Sequence, residues 1–263
     1  MNYENVCQSS IAVVKEAANF IKSQMGKVEA AQIKDKSINS LVSYVDKTAE
    51  EILVKGLAKV VPAATFITEE DTVENKKSEY YWIIDPLDGT TNFLHSLPFF
   101  AVSVALAHKD EIVVGIIYEV TRDECFYTWK GGPAFLNDKP IRVSPNKELI
   151  NAMIATGFPY THMKRIDAHI EMIKYLRQHA RGIRRFGSAA LDLAYVAAGR
   201  FDGYFEYGLQ SWDVAAGVLL VQQAGGLVSD FKNGDDYIFG EEVVVGNPAI
   251  QPMLLKCIED VVL

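Results

Sequence analysis

Cysteine is scarce in this chain: Cys7, Cys125 and Cys257 are the only three among 263 residues. None stands in a C-x-x-C pair, so neither a thiolate zinc site nor a disulfide framework is suggested. Long apolar runs are missing as well; none approaches the ~20 residues needed to span a bilayer. Met1-Asn2-Tyr3-Glu4 carries neither the basic region nor the apolar core of a secretion signal, and the expectation is a cytoplasmic protein without membrane contact. Basic residues are outnumbered, 26 Lys and Arg against 34 Asp and Glu. The net charge of −8 argues against non-specific nucleic-acid binding. The five histidines form no i,i+4 ligand pair. His162, His169 and His179 fall on one expected helix, His95 lines no obvious site, and His108 precedes a charged turn. Internal repeats, low-complexity tracts and flexible linkers are absent too.

What remains is a globular composition, 49% hydrophobic and 23% charged, with enough apolar material for a sizeable core. At 263 residues the chain makes one large domain or two intimately packed ones. Residues 4–25 place Val6, Val13, Val14, Ala17, Phe20 and Ile21 at helical spacing, with Gly26 as the stop. Residues 30–39 are polar and loop-like. A second helix spans roughly 40–60, with Val45, Ala49, Ile52, Leu53 and Leu57 on one stripe. From Phe66 to Phe135 the pattern turns to strands. Segments 101–107, 112–118 and 124–128, separated by charged turns such as Lys109-Asp110-Glu111, predict an antiparallel meander. The second half alternates: strand 152–155, helix 160–179, strand 183–185, helix 188–198, strand 203–206, helix 212–224. Strands at 226–230 and 243–246 and a helix after Pro248 close the chain. A strand-rich segment 1–140 and an alternating segment 141–263 predict two layered subdomains of one α/β unit, with the site between them.

The most informative stretch is Trp82-Ile83-Ile84-Asp85-Pro86-Leu87-Asp88-Gly89-Thr90-Thr91-Asn92-Phe93. Its apolar start reads as the end of a buried strand, which Pro86 keeps from simply continuing. Asp85, the Leu87 carbonyl and Asp88 then offer three oxygens to one point, a donor set that hard divalent cations such as Mg²⁺ accept. Immediately beyond, backbone N–H groups of Gly89, Thr90 and Thr91 at a helix start suit a phosphate. Taken alone, the same residues read equally well as a turn, since Asp-Pro and Asp-Gly are turn formers.

Two further acidic motifs accompany this loop: Glu69-Glu70-Asp71 after the strand Thr65–Ile67, and Trp212-Asp213-Val214-Ala215-Ala216-Gly217. Each has a plainer reading by itself. Glu69-Glu70-Asp71 could be a solvated charge run, Asp213 a helix cap, and Asp46 part of an exposed helix face.

Together the three motifs, in this order, resemble the inositol monophosphatase family of metal-dependent phosphatases. Gly187-Ser188-Ala189-Ala190-Leu191-Asp192-Leu193-Ala194 and Ala224-Gly225-Gly226 extend the resemblance over nearly the whole chain. It implies a layered αβαβα sugar-phosphatase fold of the α/β class, and Mg²⁺-dependent hydrolysis of inositol 1-phosphate or another polyol monophosphate by an activated water. By the same resemblance Glu69, Asp85, the Leu87 carbonyl, Asp88 and Asp213 are metal ligands, Asp85 bridging two ions, and Glu70 serves a third, weaker one. Thr90 and Asp46 would orient the water beside Glu69. Gly89 and Thr90 would meet the phosphate, and Gly187, Ser188, Ala189, Glu206 and Arg184 the rest of the substrate. Bound cations also explain how an acidic protein attracts an anion. Sibling phosphatases acting on fructose bisphosphate, 3′-phosphoadenosine 5′-phosphate or histidinol phosphate are the alternatives, as is a relative that chiefly binds the transcription machinery. Lithium sensitivity and a homodimer are implied by the family only.

Overall fold

The computed structural model describes residues 1–37, 40–159 and 165–261. Helix α1 (Tyr3–Gln24) starts where the Asn2 side chain accepts the Asn5 N–H. A 3₁₀ turn (Ala30–Gln32) leads to an antiparallel hairpin of β1 (Lys34–Ser37) and β2 (Ser40–Val42). Helix α2 (Tyr44–Val60) follows, capped by Ser43. The polar stretch expected as a loop is thus partly paired strand, too short and too polar to show hydrophobic alternation. The helix expected from residue 40 starts at Tyr44 because Ser40–Val42 pairs in the hairpin.

Next come β3 (Thr65–Thr68), β4 (Tyr80–Asp88), the short α3 (Thr90–Leu94), β5 (Ala101–His108), β6 (Glu111–Glu119), β7 (Glu124–Trp129), β8 (Phe135–Leu136) and β9 (Lys139–Pro140). They form a seven-stranded sheet in sequence order, in which β3 and β4 pair in parallel and every other pair is antiparallel. The expected meander is β5 to β7. The remaining elements are β10 (Met153–Thr156), α4 (Ile166–His179), β11 (Gly182–Arg184), α5 (Ala189–Ala197), β12 (Gly203–Tyr207), α6 (Ser211–Gln223), β13 (Leu227–Ser229), β14 (Glu242–Gly246) and α7 (Ile250–Val261). Their strands make a five-stranded mixed sheet in the order β11-β10-β12-β14-β13. The expected start of α4 at residue 160, and His162 with it, lie outside the described residues.

Strand alternation sorts the side chains into layers. Trp82, Ile84, Val102, Val104 and Leu106 face α1 and α2, while Tyr81, Ile83, Ala101, Ala105 and Ala107 face α5 and α6. In the second sheet Tyr204, Val243 and Val245 face the same central helices, and Phe205, Tyr207 and Val244 face α4 and α7. The order is therefore α1/α2, sheet, α5/α6, sheet, α4/α7. The helices show their place in it. α1 buries one stripe, Val6, Cys7, Ser10, Val14, Ala17, Ala18 and Ile21, whereas every residue of α5 is buried. Small residues let the central layer sit close; a Cβ on Gly115 of β6 would lie 2.7 Å from the Ala216 carbonyl oxygen of α6. Among the described residues no helix is long and apolar enough to cross a membrane.

One departure from expectation shapes the site. Strand β4 does not stop before Pro86; it runs on to Asp88 across a bulge, pairing Asp85 with Ser103 but Asp88 with Ala101. The extra residue accommodates the missing proline N–H. It also undoes the ordinary alternation, under which residues three apart would point to opposite faces. Asp85 and Asp88 can therefore serve one site.

Candidate active site

The bulge of β4 delivers Asp85 and Asp88, and the first turn of α6 delivers Asp213. One carboxylate oxygen from each lies within 4.8 Å of the others. Each group is also tethered to the backbone. The Leu87 N–H donates to Asp85 Oδ1 at 2.9 Å, the Ala190 N–H to Asp88 Oδ2 at 2.7 Å, and the Gln210 N–H to Asp213 Oδ2 at 2.6 Å. The Ser188 hydroxyl adds a second bond to Asp88 Oδ2, at 2.6 Å. Asp213 thus caps α6, as its position after Trp212 allowed, and also belongs to the cluster.

Such crowding is unfavourable for anions. Withdrawal from water, then the charges of Glu69, Asp88 and Asp213, push the Asp85 carboxyl well above its ordinary range. Asp213 is raised for the same reasons, with Asp88 its largest charged neighbour. Asp88 is raised by its surroundings but held down by the bonds from Ser188 and Ala190. Three carboxylates this close need a cation to ionise together, and an all-oxygen donor set fits a hard divalent ion. The residues present fit a metal.

The Glu69-Glu70-Asp71 run divides on folding. Glu69 lines the same cleft as the three aspartates, together with Leu87. Glu70 is buried, its N–H donating to Glu50 Oε2 at 2.8 Å, and it lines neither cavity of the cleft. Glu50 also accepts the N–H and hydroxyl of Thr72, so a buried carboxylate of α2 holds this loop. Residue patterning gave Glu50 no role.

Asp46 is 1% exposed, which removes it from the solvated helix face. Its Oδ2 accepts the Ser43 N–H and hydroxyl, capping α2, and its Oδ1 lies 2.8 Å from Thr90 Oγ1. Thr90 Oγ1 is also 2.9 Å from the Leu87 carbonyl oxygen. Its single proton goes to the carboxylate, the stronger acceptor. Gly89 precedes it at φ +93°, where a Cβ would approach the Phe99 carbonyl to 3.0 Å, so both conformation and space require glycine. The first bond of the α3 ladder is Phe93 N–H to Gly89 oxygen, and Gly89, Thr90 and Thr91 line the cleft. Asn92, not singled out from sequence, donates to the carbonyls of Phe99 (2.8 Å) and Phe186 (2.7 Å), joining this loop to the segment before α5.

A second cavity adjoins the acid cluster, sharing Asp88, Arg185, Gly187 and Asp213 with the first. Gly187, Ser188, Ala189 and Glu206 line it. The Ser188 hydroxyl, however, is committed to Asp88 and, at 3.3 Å, to the Leu191 N–H that starts α5. Tyr204 O–H donates to Glu206 Oε2 at 2.6 Å, and a Cβ on Gly157 would come within 2.1 Å of the Glu206 carboxylate, so a glycine clears its place. Enclosure pushes Glu206 up to about 7, against the opposing effects of Tyr204 and Arg185. Arg184 lies at the exposed end of β11 with its guanidinium on the Ile183 carbonyl, and it lines neither cavity. The next residue, Arg185, lines both. Asp192 lines this cavity too; the sequence put it in a recognisable segment without assigning it a task. The described histidines line neither cavity, and His169 is a core residue among Phe158, Phe205 and Tyr207.

Comparison with known proteins places this geometry in context. The model of the inositol monophosphatase family matches residues 2–263. An inositol-1-monophosphatase of Mesorhizobium japonicum is 42% identical over 250 residues, covering 95% of this chain and 94% of that protein. A Nus factor SuhB of Escherichia coli is 41% identical over 252 residues, covering 95% and 94%. The crystal structure of the extragenic suppressor protein SuhB from Bartonella henselae superposes with a TM-score of 0.90 at 40% identity, covering 96% of this chain and 97% of that one.

Proposed function

The chain belongs to the inositol monophosphatase family, and from that premise we propose that it hydrolyses polyol monophosphates, inositol 1-phosphate foremost, with Mg²⁺ as cofactor. Membership makes it a phosphomonoesterase of a metal-dependent family. The observation that carries the finer reading is the meeting of Asp85, Asp88 and Asp213 between two recognition elements, Thr90 with Asp46 on one side and Glu206 on the other.

Glu69, Asp85, the Leu87 carbonyl, Asp88 and Asp213 would hold the metal. Bound there, divalent ions supply Lewis-acid charge for the phosphoryl oxygens and acidify water. The protein's own groups then position the reactants. Thr90, whose hydroxyl donates a hydrogen bond to Asp46, has lone pairs left to accept a hydrogen bond from the attacking water and aim it. The Ser188 hydroxyl and Ala190 amide keep Asp88 from rotating out of the cluster. Amides at the start of α3 face the phosphate. Glu206 keeps one oxygen beyond Tyr204 for ring hydroxyls. Its charge, with Asp192 nearby, disfavours a second phosphate and so the bisphosphate-cleaving alternatives.

The test is phosphate release by purified protein across a panel of esters, with Mg²⁺ and with chelator. The proposal expects Mg²⁺-dependent turnover that favours inositol 1-phosphate. A preference for fructose bisphosphate or 3′-phosphoadenosine 5′-phosphate would sink it. Uncompetitive inhibition by lithium and a homodimer by light scattering belong to the same proposal, on family resemblance alone. A second reading, a binding role independent of turnover, rests on the relatives named Nus factor SuhB. Retention of function in cells by Asp213→Asn would favour that reading.

A further inference from the structure

Asp192 is the feature of the cleft that the proposed chemistry leaves unused. It lies one turn into α5, its N–H bonded to the Ser188 carbonyl as an ordinary helical residue, so it caps nothing. The residue is 1% exposed, and its Oδ1 has no hydrogen-bond partner. It lines the cavity that holds Glu206 and opens onto the acid cluster. A carboxyl oxygen buried without a partner is costly in any fold. Its chain neighbours Leu191, Leu193 and Ala194 belong to the apolar core. The charged groups acting on it, Glu206, Asp88 and Arg185, all line the same cavity, so that is the side from which a donor can approach the carboxyl.

We propose that Asp192 is a specificity-determining residue, forming with Glu206 a two-carboxylate cradle that accepts hydrogen bonds from separate ring hydroxyls of a polyol monophosphate. The cradle rests on the reading of the cleft as a polyol-phosphate site. Its chemistry follows from the surroundings. Both groups present acceptors, so they select ligands rich in O–H donors. Arg185, which lines the same cavity, offsets part of their charge. A second phosphate would meet two acidic groups, and a featureless aryl ester would leave both unused. Asp192 sits beside neither Thr90 nor Asp46, so its influence falls on binding the alcohol half, not on aiming the water.

The test compares wild type, Asp192→Asn and Asp192→Ala, each checked by thermal melting, at saturating Mg²⁺. Substrates are inositol 1-phosphate, its monodeoxy analogues and p-nitrophenyl phosphate. Asp192→Ala should lose roughly tenfold in kcat/KM on inositol 1-phosphate, chiefly through KM, as loss of a buried hydrogen bond predicts. Asp192→Asn, which keeps an acceptor oxygen, should lose less. The loss on p-nitrophenyl phosphate should be smaller by about tenfold, and one deoxy analogue should erase most of the gap between wild type and variant. Equal losses on every substrate, or no analogue that narrows the gap, would overturn the role of Asp192. If the alanine variant does not fold, the isosteric asparagine variant and the deoxy series decide the same question. A wild-type enzyme that cleaves p-nitrophenyl phosphate but no polyol ester would instead overturn the substrate reading, and the cradle with it.

Discussion

Glu206→Gln removes one charge from the cleft while keeping its shape, so its effect on stability measures what that charge costs. Enclosure raises Glu206 from an ordinary 4.5 to about 7. A folded-state value above the unfolded one means that the native protein holds the proton more tightly. Its stabilising contribution is fully present below about 4.5 and is lost as pH rises through about 7. The difference corresponds to at most about 3 kcal/mol, and to about 2 kcal/mol once water in the open cleft is allowed for. Glutamine retains an oxygen for the Tyr204 hydroxyl, so packing should change little. Urea unfolding in the presence of chelator, at pH 5 and pH 8, provides the measurement. Relative to wild type, the variant should gain about 2 kcal/mol between the two pH values, or about 4–8 °C in Tm for a chain of this size. A gap that stays constant with pH would show that Glu206 carries no such strain. The same variant should lose activity on polyol esters, a stability–function exchange common at binding sites.

Further outcomes follow from the same geometry. Asp85→Asn, Asp88→Asn and Asp213→Asn should each lower kcat by more than about a hundredfold, because each weakens charge stabilisation worth several kcal/mol; circular dichroism should show the fold intact. Thr90→Ala should reduce kcat by up to about a hundredfold with little change in KM, since aiming the water matters in the transition state. An unchanged kcat with a lowered Tm would make Thr90 structural. Gly115→Ala forces a Cβ to 2.7 Å from the Ala216 carbonyl oxygen and should cost about 1–3 kcal/mol in urea unfolding, leaving the pH profile of activity unaltered.

Local pattern already determined much of this protein. Apolar spacing defined α1, the stripe of α2 and the β5–β7 meander, because helix and strand periods act over a few residues and leave their mark in order. The three acidic motifs pointed to Asp85, Asp88 and Asp213 only together, through the family that their order resembles, since each motif alone has a plainer reading. Tertiary structure decided what short-range order cannot hold. Whether Asp85 and Asp88 face one way depends on a bulge set by pairing with β5, not on their own spacing. Arg185 rather than Arg184 reaches the cleft because β11 ends at Arg184 and the chain then turns toward Gly187. Glu50 and Asn92 became supports only when elements far apart in sequence closed on them, across 20 residues to Glu70 and 94 to Phe186. Asp192 looked like any polar residue of a helix; packing between two sheets buried it, left one carboxyl oxygen without a partner and set the residue in the cavity wall, a consequence of contacts that no local stretch of sequence contains.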